Sequence, residues 1–142
     1  MSGKNKSKPQ LVWIDDAIEM RAPYVAALET IYHVKKVGSL KEAIEWVDDP
    51  GEFDVAIIDL DLRQENYDPP PGYAPFAGVK LANDLANATG RPMVIVSGYL
   101  DQIDRSQIDN RHGVAFVDKG LITVKNLFIA IQGVYPQRSA KT

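Results

Sequence analysis

The stretch Phe53-Asp54-Val55-Ala56-Ile57-Ile58-Asp59-Leu60-Asp61-Leu62 decides how the rest of the chain is interpreted. Its centre, 55–58, is an apolar run too short for a buried helix and rich in β-branched residues, which predicts a buried strand of a parallel sheet. Asp59 lies at the carboxyl end of that strand. Because the ligand crevice of an open α/β sheet lies outside the carboxyl ends of its strands, Asp59 is a candidate functional residue.

Length and composition narrow the possible functions. The chain has 142 residues, enough for one domain with a substantial core and too few for two ordinary ones. The net charge of -3 offers no basic surface for phosphate backbones, so we expect no nucleic-acid binding. The absence of cysteine excludes disulfides, thiolate metal sites and a cysteine nucleophile. No apolar run reaches about 18 residues, so we expect no membrane segment and a cytoplasmic protein.

Apolar runs alternate with helical patterns along the chain. The predicted strands are 11–14, 34–37, 55–58, 92–96 and 114–117, and the predicted helices are 17–33, 40–47, 79–90, 100–110 and 122–135. Such an alternation with short turns predicts an α/β fold, in which a parallel sheet is covered by helices on both faces. Residues 1–10 are predicted to be a disordered basic tail, 11–136 one domain and 137–142 a polar tail. The proline-rich stretch 63–78 is predicted to be a long loop, either a partner-binding lid or a tolerated surface insertion.

Polar side chains follow four of the predicted strands. They are Asp15 and Asp16, then Asp59 and Asp61, then Ser97, then Lys119. Several carboxylates gathered at one edge repel each other unless a cation lies among them, and the oxygen-only ligand set favours Mg²⁺ over zinc. An ammonium and a hydroxyl beside a metal suit the charge of a transferring phosphoryl group, and a carboxylate can accept that group as an acyl phosphate.

The order of four motifs resembles a known family. Asp-Asp at 15–16, Phe-Asp-Val-Ala-Ile-Ile-Asp at 53–59, Val-Ile-Val-Ser-Gly at 94–98 and Phe-Val-Asp-Lys at 116–119 resemble the receiver domain of two-component response regulators, of the stand-alone single-domain type. The resemblance covers roughly 11–135. It implies a flavodoxin-like (βα)5 fold, a three-layer α/β/α sandwich whose five-stranded parallel sheet has the order 2-1-3-4-5.

The resemblance also implies roles for individual residues. Asp59 matches the phosphorylated aspartate, Asp16 and Asp15 match the direct and water-mediated Mg²⁺ ligands, and Asp61 matches a position whose backbone carbonyl completes the metal shell. Lys119 matches the lysine beside the phosphoryl group. The switch pair is matched by Ser97, the hydroxyl that turns toward the phosphoryl group, and by Phe116, the aromatic that follows it; Gly98 matches the small residue that leaves the site accessible.

The implied function is phosphorelay signal transduction. A histidine kinase or histidine phosphotransfer protein would supply the phosphoryl group, Mg²⁺ would be the cofactor, and the switched surface would bind a downstream protein that the sequence does not identify. The chain would be a phosphoacceptor that catalyses only its own phosphorylation and dephosphorylation, as a monomer or weak homodimer. It departs from the usual receiver pattern at Asp61, at the long loop, and at Gly120, where receivers usually have proline.

Two other functions remain open from the residues. A pseudo-receiver would keep the fold as a binding module and never be phosphorylated, as Asp61 and Gly120 suggest. Asp59-Leu60-Asp61 with Ser97 and Lys119 also resembles haloacid-dehalogenase-type phosphatases, although their motif order is reversed here. Plainer interpretations also exist: a helix N-terminus for Asp15 and Asp16, a turn hydroxyl for Ser97, a surface lysine for Lys119 and simple core packing for Phe116.

Overall fold

A computed structural model describes residues 8–62, 71 and 77–135. The strands are β1 (Gln10–Ile14), β2 (His33–Val37), β3 (Val55–Asp59), β4 (Met93–Ser97) and β5 (Val114–Asp118); the α-helices are α1 (Ala22–Leu28), α2 (Leu40–Val47), α3 (Ala77–Thr89) and α4 (Val124–Val134). Most of the predicted 63–78 loop and the whole 137–142 tail lie outside the described residues, as do residues 1–7 of the predicted N-terminal tail.

All five strands form one parallel sheet in the order β2-β1-β3-β4-β5, which confirms the expected topology. The central strands β3 and β4 are buried along their whole length, as their continuous apolar runs predicted. Alternate residues of β3 point to opposite faces, so that Ala56 and Ile58 pack with α2 and α3, while Val55 and Ile57 pack with α1 and α4. The sheet therefore lies between two helical layers.

The structure corrects the predicted fourth helix. Residues 100–110 form two 3₁₀ turns, Leu100–Gln102 and Arg105–Gln107, instead of an α-helix. Asp104 accepts hydrogen bonds from the backbone nitrogen and the hydroxyl of Ser106. Such local bonds offer the backbone an alternative to the helical pattern. Ile108 is buried against the α2 and α3 layer, so this segment still covers that face of the sheet.

The first helix is also shorter than predicted. A 3₁₀ turn occupies Ile18–Arg21, and α1 covers only Ala22–Leu28, with Pro23 in its first turn, where proline is tolerated. The remainder of the predicted 17–33 segment leads into β2, which begins at His33. The start of α2 is capped by side chains: Ser39 Oγ accepts the Glu42 N–H at 3.0 Å, and Glu42 Oε1 accepts the Gly38 N–H, one residue before the N-cap, at 3.1 Å.

No helix within 8–62 or 77–135 is long and apolar enough to cross a membrane.

Candidate phosphoacceptor site

The carboxyl ends of four strands bring the predicted site residues together. Asp15 and Asp16 follow β1, Asp59 ends β3, Ser97 ends β4, and Lys119 follows β5. The Lys119 ammonium joins two of these groups, since its Nζ lies 2.9 Å from Asp59 Oδ1 and 3.0 Å from Asp61 Oδ2. Residues separated by up to 60 positions in the sequence are thus in direct contact.

Three carboxylates form a cluster on one side of this lysine. Each of Asp15, Asp16 and Asp59 offers an oxygen within 4.8 Å of the others. Asp15 is fully buried, and its two oxygens accept the Ala17 N–H at 2.7 Å and the Arg21 Nε–H at 3.0 Å. Asp16 is exposed. Arg21 was not singled out from the sequence, and it supplies a positive charge to the otherwise acidic side of the site.

Asp59 is buried, with 1% of its surface exposed. Burial and the charge of Asp15 raise the pKa of Asp59 to about 6, against the opposing effects of Lys119 and of the Asp61 N–H, which donates to Asp59 Oδ1 at 2.8 Å. A carboxylate with this pKa is mainly ionised at neutral pH and is more basic than an exposed aspartate. A buried carboxylate with this charge and basicity can act as a nucleophile.

Asp61 is bound from three directions. Its Oδ1 accepts the Ser97 hydroxyl at 2.8 Å, and its Oδ2 accepts the Gly98 N–H at 2.9 Å and lies 3.0 Å from Lys119 Nζ. Partial burial by itself would raise the pKa of Asp61, but the hydrogen bonds from Gly98, Ser97 and Lys119 outweigh burial and lower it. Asp61 is therefore a firmly ionised carboxylate beside Asp59.

The donor set fits a hard divalent cation. Four carboxylates, those of Asp15, Asp16, Asp59 and Asp61, face two cationic side chains, those of Arg21 and Lys119. The candidate ligand atoms of Asp15, Asp16 and Asp59 are all carboxylate oxygens, which Mg²⁺ prefers. The cluster consists of Asp15, Asp16 and Asp59; the side chain of Asp61 is directed to Ser97, Gly98 and Lys119, and the predicted role of its backbone carbonyl stays a prediction.

Ser97 and Phe116 lie on neighbouring strands. The Ser97 hydroxyl is fully buried, donates to Asp61 and accepts the Tyr99 N–H at 2.9 Å. Phe116 in β5 is half-buried and packs against the core on the α2 and α3 side of the sheet, with the Arg105 guanidinium 4.6 Å above its ring. This contact is a cation–π interaction. The position of Phe116 satisfies the core-packing interpretation, and its switch role stays a prediction.

Gly78 is a second residue that the sequence did not single out. An added Cβ at this position of α3 would lie 2.4 Å from Leu60 Cα and 2.8 Å from Leu60 O. Only glycine allows the helix to approach the backbone between Asp59 and Asp61 this closely. The helix thereby fixes the segment that carries both aspartates.

Comparison with solved structures identifies the fold. A response regulator receiver protein from Sinorhizobium medicae superposes with a TM-score of 0.69 at 18% identity, covering 94% of this chain and 99% of that one. A receiver domain protein from Methanospirillum hungatei gives a TM-score of 0.67 at 14% identity, covering 96% of this chain and 100% of that one. The N-terminal domain of a response regulator from Carboxydothermus hydrogenoformans gives a TM-score of 0.67 at 16% identity, covering 93% of this chain and 98% of that one.

Neither family models nor curated proteins match the sequence. The structural neighbours, in contrast, are consistently receiver domains and are covered over nearly their whole length. The chain therefore has the fold of response regulator receiver domains.

Proposed function

We propose that the protein is a phosphoacceptor in phosphorelay signalling and that Asp59 receives the phosphoryl group. One observation carries the proposal: the Asp59 carboxylate is buried at the end of β3, 2.9 Å from Lys119 Nζ, and within 4.8 Å of the carboxylates of Asp15 and Asp16. A nucleophile, an ammonium and a cation-binding cluster are the parts that phosphoryl transfer needs.

The proposed reaction is a transfer from a phosphohistidine of a histidine kinase or a histidine phosphotransfer protein. An Asp59 carboxylate oxygen forms a bond to phosphorus, the phosphorus–nitrogen bond of the donor breaks, and the imidazole leaves with a proton taken from solvent. Lys119 holds Asp59 in place before the reaction and balances the charge of the phosphoryl oxygens as they approach. The chain would catalyse only this transfer and the later loss of the group.

Asp15, Asp16 and Asp59 would hold Mg²⁺. When bound, the ion would neutralise charge on the phosphoryl oxygens. Arg21 orients Asp15 through its 3.0 Å contact, and Asp16 is the exposed member of the cluster. The phosphorylated state would then present a changed surface to a downstream protein, through Ser97 and Phe116.

The test is intact-mass measurement after incubation with acetyl phosphate and Mg²⁺. We expect the wild type to gain one phosphoryl group and Asp59→Asn to gain none. Asp54→Asn is the matched control, because Asp54 precedes the same strand at its opposite end and should leave the adduct unchanged. A wild-type protein that gains no phosphoryl group, or an adduct that persists in Asp59→Asn, would overturn the proposal.

A binding module that is never phosphorylated is the second candidate. Asp61 favours it, because this side chain already occupies the Ser97 hydroxyl and the Gly98 N–H. A phosphatase of the haloacid-dehalogenase type would need Asp61 as a mobile acid or base. Three donors within 3.0 Å restrain Asp61, which argues against that activity. Steady hydrolysis of a small phosphate ester would instead support the phosphatase.

A further inference from the structure

Three hydrogen-bond donors from separate parts of the chain converge on one carboxylate. Ser97 ends β4, Gly98 follows it, and Lys119 follows β5, yet all three donors lie within 3.0 Å of the Asp61 oxygens. Such a set of a hydroxyl, a backbone N–H and an ammonium is a binding site for an anion. In the unmodified protein, the anion in this site is the side chain of Asp61.

The same site adjoins the proposed phosphoacceptor. Lys119 Nζ is shared between Asp59 Oδ1 at 2.9 Å and Asp61 Oδ2 at 3.0 Å, and the Asp61 N–H donates to Asp59 Oδ1. A phosphoryl group on Asp59 would carry oxygens into the immediate surroundings of Lys119. These oxygens and the Asp61 carboxylate would therefore require the same donors.

A count of hydrogens shows that Ser97 and Gly98 cannot each serve two anions, whereas the Lys119 ammonium has three hydrogens and can. The Ser97 hydroxyl has one hydrogen, which it gives to Asp61 Oδ1, and Gly98 has one backbone hydrogen, which it gives to Asp61 Oδ2. A phosphoryl oxygen can receive either hydrogen only if the Asp61 carboxylate first moves away. Both groups are also negatively charged, so their close approach is unfavourable in this largely buried site.

We infer that Asp61 is a resident anion that occupies donors of the phosphoryl site, so that phosphorylation of Asp59 has to displace the Asp61 side chain from Ser97 and Gly98. This inference rests on the proposed function. Asp61 would then be a positioning residue that slows phosphorylation, because it keeps the Ser97 hydroxyl and the Gly98 N–H engaged in hydrogen bonds. The chain would accept a phosphoryl group more slowly than the same fold without an acid at this position.

The test compares rates of phosphorylation by acetyl phosphate and Mg²⁺, followed by intact mass. In this reaction an Asp59 oxygen forms a bond to phosphorus, the bond between phosphorus and the acetyl oxygen breaks, and acetate leaves. We expect Asp61→Ala to react about tenfold faster than the wild type or more, because charge-assisted hydrogen bonds no longer have to be broken. Asp61→Asn has nearly the same shape and should also react faster.

Asp118→Asn is the matched control for simple charge repulsion. Asp118 is an exposed carboxylate next to Lys119, and its Oδ1 accepts the Gly120 N–H. Its rate should stay near that of the wild type. Equal acceleration by Asp118→Asn would show that charge alone is responsible and would overturn the inference.

The outcomes separate the inference from the proposed function. Equal rates in the wild type, Asp61→Ala and Asp61→Asn, with an adduct in each, would overturn the inference and leave Asp59 as the acceptor. An adduct in Asp61→Ala but not in the wild type would overturn the proposed function, since the natural chain would then not be a phosphoacceptor, and would support the block by Asp61. No adduct in any of these folded variants would overturn the proposed function, and the inference with it.

Discussion

The two ends of β3 both carry aspartates, in very different surroundings. Asp54, just before the strand, is half-buried; its Oδ2 accepts the Gln10 N–H at 2.7 Å, and its own N–H donates to Gln10 O. Asp59, at the other end, is buried among groups from β1, β5 and its own strand. Because the strands are parallel, their carboxyl ends share one edge, where Asp59 meets side chains that follow other strands. The direction of the strand thus decides which of its two aspartates lies at the candidate site.

Backbone packing at the carboxyl end of β3 gives the largest expected effect. Gly78→Ala would place a Cβ 2.4 Å from Leu60 Cα, so we expect the free energy of unfolding to fall by about 3 kcal/mol. Gly133→Ala in α4 is the control, since nothing in the described part of the chain outside its own helix lies within 4 Å of the added Cβ. That change should raise stability by about 0.5 kcal/mol through helix propensity. Urea unfolding of both variants measures the difference, and similar stabilities would disprove the tight packing.

The second largest loss of stability is expected from removing the Lys119 ammonium at the carboxyl edge of the sheet. Lys119→Ala leaves two largely buried carboxylates without their cation, and we expect a loss of about 2 kcal/mol in unfolding free energy at pH 7. Lys80→Ala in α3 removes a lysine from a more exposed pair with Asp84 and should cost only about 0.3 kcal/mol. Chemical denaturation of both variants makes the comparison. A loss in Lys119→Ala no larger than that in Lys80→Ala would contradict the account.

Burial of Asp59 should make its charge unfavourable for folding in the absence of metal. The pKa of the Asp59 carboxyl is about 6 in the folded protein, against an ordinary value of 3.8, so protonation of this carboxyl favours the folded state. The stability that the protonated carboxyl contributes is fully present below pH 3.8 and is lost as the pH rises through 6. At pH 7.5 with EDTA, Asp59→Asn should therefore be more stable than the wild type by about 1.5 kcal/mol.

Unfolding experiments at several pH values check this prediction. The advantage of Asp59→Asn should shrink as the pH falls from 7.5 to 4, because the wild-type carboxyl then takes up its proton. Asp54→Asn is the control at the other end of β3 and should show no such gain. A destabilised Asp59→Asn at pH 7.5 would show that the Lys119 contact outweighs burial.

Mg²⁺ binding is expected to change the unfolding free energy least. We expect Mg²⁺ at about fivefold its dissociation constant to raise the unfolding free energy by about 1 kcal/mol. Asp16→Asn should lose most of this gain, since Asp16 belongs to the carboxylate cluster. Asp101→Asn, an exposed acid after β4, should keep it. Thermal unfolding with Mg²⁺ and after chelation measures both, and equal responses would place the ion elsewhere.

The sequence predicted the sheet better than the contacts around the site. Apolar runs such as 55–58 identify buried strands because continuous burial leaves a continuous apolar pattern. The α-helix predicted at 100–110 was wrong, because Asp104 accepts a local hydrogen bond from the Ser106 N–H and so favours a short turn. Gly78 could not be recognised, since the need for glycine arises from its approach to Leu60.

The interactions of the aspartates were only partly accessible. The contact of Arg21 with Asp15 depends on the 3₁₀ turn between them, which the helical pattern of 17–33 concealed. One contact of Asp61 offered a usable signal, because an aspartate side chain often accepts the N–H of the residue two positions on, as Asp59 Oδ1 does from Asp61. Its partners could not be predicted, since Ser97 and Lys119 come from other strands.

The position of the phosphoryl group on the chain decides whether Asp59 is the acceptor. After reaction with acetyl phosphate and Mg²⁺, borohydride reduction converts an aspartyl phosphate to homoserine, which peptide sequencing by mass spectrometry can locate. We predict homoserine at position 59 and unmodified aspartate at position 61. Homoserine at 61, 15 or 16 would contradict the assignment of Asp59 as the acceptor.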